Sequence, residues 1–187
     1  YGRDFYAAVP FYNTVDKEVF WLGWMLSWSY AKEQPTFPWK GQMSLPRTLS
    51  LTPTSQGLKL RQVLKPDLTQ LKPSFEAKNF VLKGRKVLSG MKFLQSKTYV
   101  IQLKVDAGNA KQWGIELGDE AKENPELTRI AFDEKSQDWF IDRRLSGQIP
   151  APGFDMIQSA PFIPGGDKVM QLVVDRSTLE LLAQDGT

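Results

Sequence analysis

Phe5-Tyr6-Ala7-Ala8-Val9-Pro10-Phe11-Tyr12, then Asn13-Thr14-Val15-Asp16-Lys17, then Glu18-Val19-Phe20-Trp21-Leu22-Gly23-Trp24-Met25: this stretch sets the architecture. Both flanks are apolar and rich in aromatic and β-branched residues, the composition of strands. The link between them has turn chemistry, so the pair reads as a β-hairpin. Pro35, Pro38 and Gly41 punctuate the loop that follows. A short strand is expected near Arg47 to Thr52, a turn over Pro53 to Gly57, and a further strand beginning at Gly57-Leu58-Lys59-Leu60. Four strands in about sixty residues is the size of one propeller blade.

The stretch from Val63 to Leu71 is rich in Lys, Pro and Gln and has room for one helical turn after Pro66, with Asp67 in that turn. It marks the expected boundary between a blade at 1–62 and a second unit at 63–187. Strand patterns then recur at Ser74 to Leu82, Thr98 to Val105, Gln112 to Leu117, Leu127 to Asp133, Trp139 to Arg143, Lys168 to Asp175 and Thr178 to Ala183. Tyr99-Val100-Ile101-Gln102-Leu103-Lys104-Val105 alternates with period two, which puts one face in a core and the other in water. Asp133 to Asp138 reads as a hairpin loop. Short strands separated by turn signals indicate a β-sandwich. The fold class is therefore all-β: a propeller blade followed by a sandwich. No long helical period and no internal repeat is present.

Composition narrows the chemistry. The 187 residues include 24 Lys plus Arg, 21 Asp plus Glu, no His and no Cys. A 41% hydrophobic chain of this length can bury a real core. Without Cys or His there is no disulfide, no thiol nucleophile, no Ser-His pair and no imidazole base. Acid–base chemistry would fall to Asp, Glu, Lys or Tyr. The net charge of +3 is mild, and even the densest basic stretch, Lys83 to Lys86, reads as a solvated face. No nucleic-acid partner is expected. No apolar run approaches the roughly 20 residues of a membrane span, so no membrane association is expected either. Asp119, Glu120, Glu123 and Glu126 cluster without a calcium-loop pattern and read as a solvated acidic loop. Gly165-Gly166 after a Pro reads as a turn, and no glycine-rich phosphate loop occurs. No metal or cofactor is expected.

The aromatic residues are unevenly spread. Trp21, Trp24, Trp28 and Trp39 fall within the first 39 residues, with Tyr1, Tyr6, Tyr12 and Tyr30. In a strand, Trp21 and Trp24 point to opposite faces, and both read as core or interface. Trp28 lies where strand gives way to loop. A Trp there, followed by a Pro-rich segment, suits a sugar platform, since an aromatic face buries the C–H side of a sugar while polar neighbours take its hydroxyls. Trp28 and Trp39 are open to either role. Asp4, beside Phe5 and Tyr6, could accept hydrogen bonds from hydroxyls or cap a strand. Glycoside hydrolysis generally needs two carboxyl groups about 5–10 Å apart, and neither Asp4 nor Glu33 has an identifiable partner. Asp142-Arg143-Arg144 and Asp175-Arg176-Ser177 read as turns with locally paired charges.

Five motifs carry a resemblance. Asp4-Phe5-Tyr6-Ala7-Ala8, Trp21-Leu22-Gly23-Trp24-Met25, Trp28-Ser29-Tyr30-Ala31, Pro35-Thr36-Phe37-Pro38-Trp39-Lys40-Gly41 and Met43-Ser44-Leu45-Pro46-Arg47 look, in order and spacing, like the last propeller blade of glycoside hydrolase family 32. Trp113-Gly114-Ile115, the Asp142-Arg143 turn with Ser146-Gly147, and Val173 to Leu181 with Asp185-Gly186 resemble that family's C-terminal β-sandwich.

The resemblance implies a five-bladed propeller with a central funnel, a sandwich on its side, and retaining hydrolysis of β-fructosides by two carboxylates. It implies that the family's Asn-Asp-Pro, Arg-Asp-Pro and Glu-Cys-type catalytic motifs lie upstream, since none occurs here. No catalytic residue is expected on this chain. Asp4, Tyr6, Trp28 and Trp39 are the residues the resemblance places at the pocket wall, with Lys40 where the family has Arg. Leu26 and Ser27 stand where the family often has an amide before the Trp. The implied partners are fructan or sucrose and the remaining blades of the same protein, and the implied location is secreted or periplasmic. The sandwich is expected to stop short of the family's last strands. Two alternatives stand beside this reading: a sandwich that binds fructan itself, through Trp113 or Trp139, and a sandwich that is purely structural.

Overall fold

The computed structural model describes residues 1–88, 98–119 and 123–187. Its first sheet is a four-stranded antiparallel meander, β1 (Tyr6–Phe11), β2 (Phe20–Trp24), β3 (Arg47–Thr54) and β4 (Gly57–Leu64), in that order. Neighbours in sequence are neighbours in space, which is the arrangement of a propeller blade. β1 is an edge strand, and this is why it tolerates Pro10: the missing N–H faces away from β2. The β1–β2 register slips between Tyr6 and Val9, where Ala7 takes a φ of 52°. Such a bulge re-aims the side chains around it.

Phe5 explains the Trp21-Leu22-Gly23-Trp24 motif. Its ring centroid lies 5.8 Å from that of Trp21 and 4.5 Å from the Arg47 guanidinium carbon. A β-carbon on Gly23 would stand 2.7 Å from the Phe5 ring, so that position has space for glycine alone. Ser44 closes the same region. Its Oγ accepts from Gly23 N at 3.0 Å, and its own N–H donates to the Gly23 carbonyl at 2.9 Å.

The second unit is two facing sheets. One has the order β11 (Thr178–Ala183), β10 (Val169–Asp175), β5 (Thr98–Lys104). The other runs β6 (Gln112–Asp119), β7 (Glu126–Asp133), β8 (Asp138–Leu145), β9 (Gln158–Pro161). Ile130, Phe132, Trp139, Met170 and Leu172 are buried at its centre. Ile101, Leu103, Trp113, Ile115, Ile141, Phe162, Leu179 and Leu181 close around them. The period-two alternation in β5 is thereby cashed in: Ile101 and Leu103 turn inward.

β11 is covered on both faces. Leu179, Leu181 and Ala183 face the sandwich core. Glu180 and Leu182, on the opposite parity, are also buried, because that face lies against the blade. Glu180 accepts from Leu45 N at 2.8 Å and from Arg47 Nη2 at 2.7 Å. Arg47 also donates to Gln62 Oε1, which takes a second bond from the Trp21 indole, each at 3.2 Å. Gln42 Nε2 donates to Ser177 Oγ at 2.8 Å, and Arg61 Nε to the Asp185 carbonyl at 3.1 Å.

Two expectations change. Ser74 to Leu82 carries no strand; its residues are exposed, and Asn79 turns the chain with a φ of 53°. Apolar alternation is local, but a strand also needs a partner for its N–H and C=O groups, and among the described residues none pairs with this segment. Conversely, β9 was not expected. Gln158-Ser159-Ala160-Pro161 has no apolar rhythm, yet β8 supplies its partner, with Ile141 opposite Gln158 and Asp138 opposite Pro161. The turn expected after Pro66 is a short 3-10 turn at Leu68–Gln70. The Asp133 to Asp138 loop is the β7–β8 hairpin connection, with Gln137 at a φ of 57°.

Trp139 tests the sandwich core. It is 2% exposed, packs on Phe132 at 4.8 Å, and its indole N–H has no acceptor among the described residues. Trp139→Ala should cost about 3–5 kcal/mol, the range for emptying a large buried aromatic site. Trp139→Phe should cost less than half of that, because it leaves a smaller cavity and removes an unsatisfied donor. Urea unfolding of the two variants measures the difference.

Candidate functional site

Two exposed aromatic side chains of the blade, Tyr6 and Trp28, gather around Trp24, at the end of β2. The Tyr6 ring meets Trp24 edge-on at 6.4 Å, and the Trp28 ring lies 4.9 Å from it. The Trp24 indole donates to the Lys40 carbonyl at 2.9 Å, which ties the Pro-rich loop to the same cluster. Within that loop the Phe37–Pro38 peptide is cis, Thr36 Oγ1 donates to the Trp39 carbonyl at 2.7 Å, and Lys40 Nζ bonds the Lys32 and Gln34 carbonyls. Trp28 is 69% exposed, Trp39 53% and Tyr6 51%. Tyr6 and Trp28 are therefore brought together through Trp24. Trp39 stands on the adjoining loop and makes no ring contact with either among the described residues. Large aromatic faces left in water beside backbone carbonyls and hydroxyls can bind an amphipathic ring such as a sugar.

Asp4 is placed differently. Its carboxylate accepts from the Tyr30 hydroxyl at 2.5 Å and lies 2.7 Å from Arg143 Nη1 as an ion pair. Arg143 belongs to β8 of the sandwich. Its Nη2 donates to the Tyr30 oxygen at 2.9 Å, and its Nε to the Phe154 carbonyl. The guanidinium stacks 3.9 Å from the Phe154 ring centroid. Tyr30 itself is fully buried in a cluster with Leu26, Ala31, Ala151 and Phe154. Burial, followed by the Asp4 carboxylate, pushes the Tyr30 phenol up to about 12.

Sequence reasoning missed Trp24, Tyr30 and Arg143 as parts of one assembly. Trp24 shares strand parity with Trp28, a usable hint. Arg143 had a hint as well. In Asp142-Arg143-Arg144 there is one carboxylate for two guanidinium groups. Arg144 takes it, with Nε to Oδ1 at 2.9 Å and Nη2 to Oδ2 at 2.7 Å, and this pair holds the Asp142 carboxyl below the usual range. Arg143 is the arginine left over; besides Phe154, eleven residues on, its partners Asp4 and Tyr30 lie more than a hundred residues away.

The sandwich tryptophans pack into or against the sandwich core. Trp139 is buried in the core, and Trp113 is half-buried against Phe132 and Trp139. The Trp113 indole donates to Glu134 Oε1 at 3.0 Å, where Lys168 Nζ also binds at 2.7 Å. Of the two residues offered for the alternative of a fructan-binding sandwich, Trp139 is therefore buried in the core, and Trp113 is half-buried with its indole N–H engaged by Glu134. Of the acidic loop, Glu120 and the Asp119 side chain lie outside the described residues. Among the described residues no group of three or more His, Cys, Asp or Glu is placed to hold a metal ion, and no helix is long and apolar enough to cross a membrane.

Residues 1–63 match the family model described as glycosyl hydrolases family 32 N-terminal domain, and residues 67–187 match glycosyl hydrolases family 32 C terminal. The chain belongs to glycoside hydrolase family 32. A levanase of Bacillus subtilis (strain 168) is 34% identical over the whole chain, which spans 28% of that enzyme. The extracellular exo-inulinase of Aspergillus niger (strain ATCC MYA-4892) is 26% identical, again over the whole chain and 35% of its own length. The crystal structure of exo-inulinase from Aspergillus awamori superposes with a TM-score of 0.81 at 25% identity, covering 99% of this chain and 36% of that one. The chain thus spans well under half the length of the family 32 relatives it matches. The all-β propeller-and-sandwich fold of family 32 is the fold described above.

The buried phenol gives a pH prediction. The folded Tyr30 hydroxyl titrates near 12, against 10.0 for an ordinary phenol. A raised value means that its stabilising contribution is complete below about pH 10 and is lost as pH climbs through 12. Stability measured by denaturant unfolding should fall across that window. Tyr30→Phe should flatten the fall, and an absorbance titration should lose one late-ionising tyrosine.

Proposed function

We propose that this chain is the C-terminal portion of a β-fructosidase of the levanase, inulinase or invertase kind, with residues 1–62 as the last propeller blade and 63–187 as the C-terminal sandwich. The full enzyme would hydrolyse fructan or sucrose by the retaining two-carboxylate route, its nucleophile and acid/base supplied by segments upstream of Tyr1. The remaining blades are its intramolecular partners. The observation that carries this reading is the exposed Tyr6–Trp24–Trp28 cluster at the end of a blade in a family 32 chain. Tyr6, Trp28 and Trp39 present faces for the apolar side of a fructosyl unit. Asp4 stands behind them at the start of β1. Its Oδ1 accepts from Tyr30 and its Oδ2 is buried against Arg143, so on this reading it shapes the wall from behind. The reading needs no cofactor. Secretion or export is the matching location, since the substrate polymers are extracellular-sized and the Aspergillus niger relative is described as extracellular.

The sandwich has a structural role on this reading. The Glu180–Arg47 and Arg143–Asp4 pairs join it to the blade, and its large aromatics are spent on its own core.

The isolated chain should release no fructose from sucrose, inulin or levan, because it carries no catalytic carboxylate pair on this reading. Reducing-sugar assay of the purified chain beside the whole enzyme checks this, and turnover by the chain would sink it. In the whole enzyme, Trp28→Ala should raise KM for fructan about tenfold, equivalent to about 1.4 kcal/mol of lost binding.

A further inference from the structure

The two exposed members of the aromatic cluster have a relation that neither strand pairing nor the family reading requires. Tyr6 is two residues after Asp4. Trp28 is two residues before Tyr30. Asp4 and Tyr30 are the two groups that Arg143 grips with the tips of one guanidinium, through Nη1 at 2.7 Å and Nη2 at 2.9 Å. The third donor, Nε, is fixed on the Phe154 carbonyl, and the guanidinium lies on the Phe154 ring. Two of its nitrogens, Nη2 and Nε, are thus hydrogen-bonded, and the third, Nη1, is held on Asp4 Oδ2 as an ion pair without a hydrogen bond on that oxygen. The side chain is largely buried, at 17% exposure, and a planar fork held at three points has little freedom to turn.

What Arg143 holds is the footing of the aromatic ledge. The Trp28 loop is a tight turn: Tyr30 N donates to the Ser27 carbonyl at 3.2 Å, and Ser29 N to Ser27 Oγ at 3.3 Å. Leu26, Tyr30 and Ala31 are buried beneath it while Trp28 projects into solvent. Moving the Tyr30 ring therefore moves the base on which Trp28 stands. On the other side, the bulge at Ala7 leaves the entry to β1 without a regular register, so the aim of Tyr6 depends on how Asp4 is anchored.

We propose that Arg143, a residue of the sandwich, is a positioning residue for substrate binding on the blade. It sets the relative placement of Tyr6 and Trp28 by gripping Asp4 and Tyr30 together. The proposal rests on the reading of that ledge as the sugar-binding surface. It gives the sandwich a part in affinity, beyond holding the blade in place. Aromatic stacking on a rigid ligand is lost when two platforms shift by about an ångström relative to one another.

The test uses the whole enzyme with steady-state kinetics on sucrose and a fructan, and thermal melts alongside. Arg143→Met should raise KM about five- to tenfold with kcat within twofold. Arg143→Lys should not restore KM, because an ammonium cannot span both Asp4 and Tyr30 while keeping the Phe154 stack. Tyr30→Phe, which keeps the ring and its packing, should raise KM about threefold, and it decides the matter if Arg143→Met fails to fold. Lys168→Met, which breaks the Lys168–Glu134 pair inside the sandwich, should lower the melting temperature and leave KM unchanged. If Arg143→Met and Tyr30→Phe lower the melting temperature but leave KM alone while Trp28→Ala raises it, Arg143 is structural only and the proposal is overturned. If Trp28→Ala also leaves KM unchanged, the ledge reading itself fails and takes the proposal with it.

Discussion

Charges taken out of water at a seam must be paired there. The contact between blade and sandwich is built around that constraint. Arg47 reaches out of the blade to Glu180, whose side chain is 6% exposed, and Arg143 reaches out of the sandwich to Asp4. An ion pair this deeply buried gains little net stability over an apolar contact, but removing one partner typically costs about 3–5 kcal/mol. The pairs therefore act chiefly as a register. Glu180 can be satisfied only where Arg47 and Leu45 N–H converge, and that fixes how β11 lies on the blade.

Both arginines also converge on one point of the blade. Arg143 binds Asp4, and Arg47 lies over the ring of its neighbour Phe5. Phe5 in turn occupies the space that Gly23 leaves open. The entry to β1 is thereby held by three separate parts of the chain: the sandwich, β3 and β2. The next residue is Tyr6. An edge strand with a bulge has weak register of its own, so this anchorage supplies what strand pairing does not. The aromatic surface inherits its shape from contacts made behind it.

Much of this was legible in advance, and where it was not there is a physical reason. The blade hairpin, the period-two alternation around Ile101 and the Asp133 to Asp138 turn are local patterns, and local patterns can be read. The segment at Ser74 to Leu82 shows the limit: it has strand composition but, among the described residues, no strand ladders with it. β9 is the reverse, a polar tetrapeptide that is a strand because β8 offers it an edge. Trp113 and Trp139 looked like candidates for exposure, yet the facing sheet covers them. Trp28 and, on the adjoining loop, Trp39 stood out from type and position, and Tyr6 from the resemblance to family 32. Arg143 did not, because its partners on the blade, Tyr30 and Asp4, are 113 and 139 residues away in the chain.

By itself, then, the amino-acid order determined that the chain is all-β, which segments are apolar on alternate positions, that imidazole and thiol chemistry are excluded, and that its motifs are those of family 32. These follow from residue type and spacing, which act over a few residues. Tertiary structure alone decided which side of β11 is buried, which of two adjacent arginines leaves its local carboxylate, and that Tyr6 and Trp28 share one support in the sandwich. Such choices depend on what arrives from elsewhere in the chain to take a charge out of water, and spacing along the sequence carries no record of that.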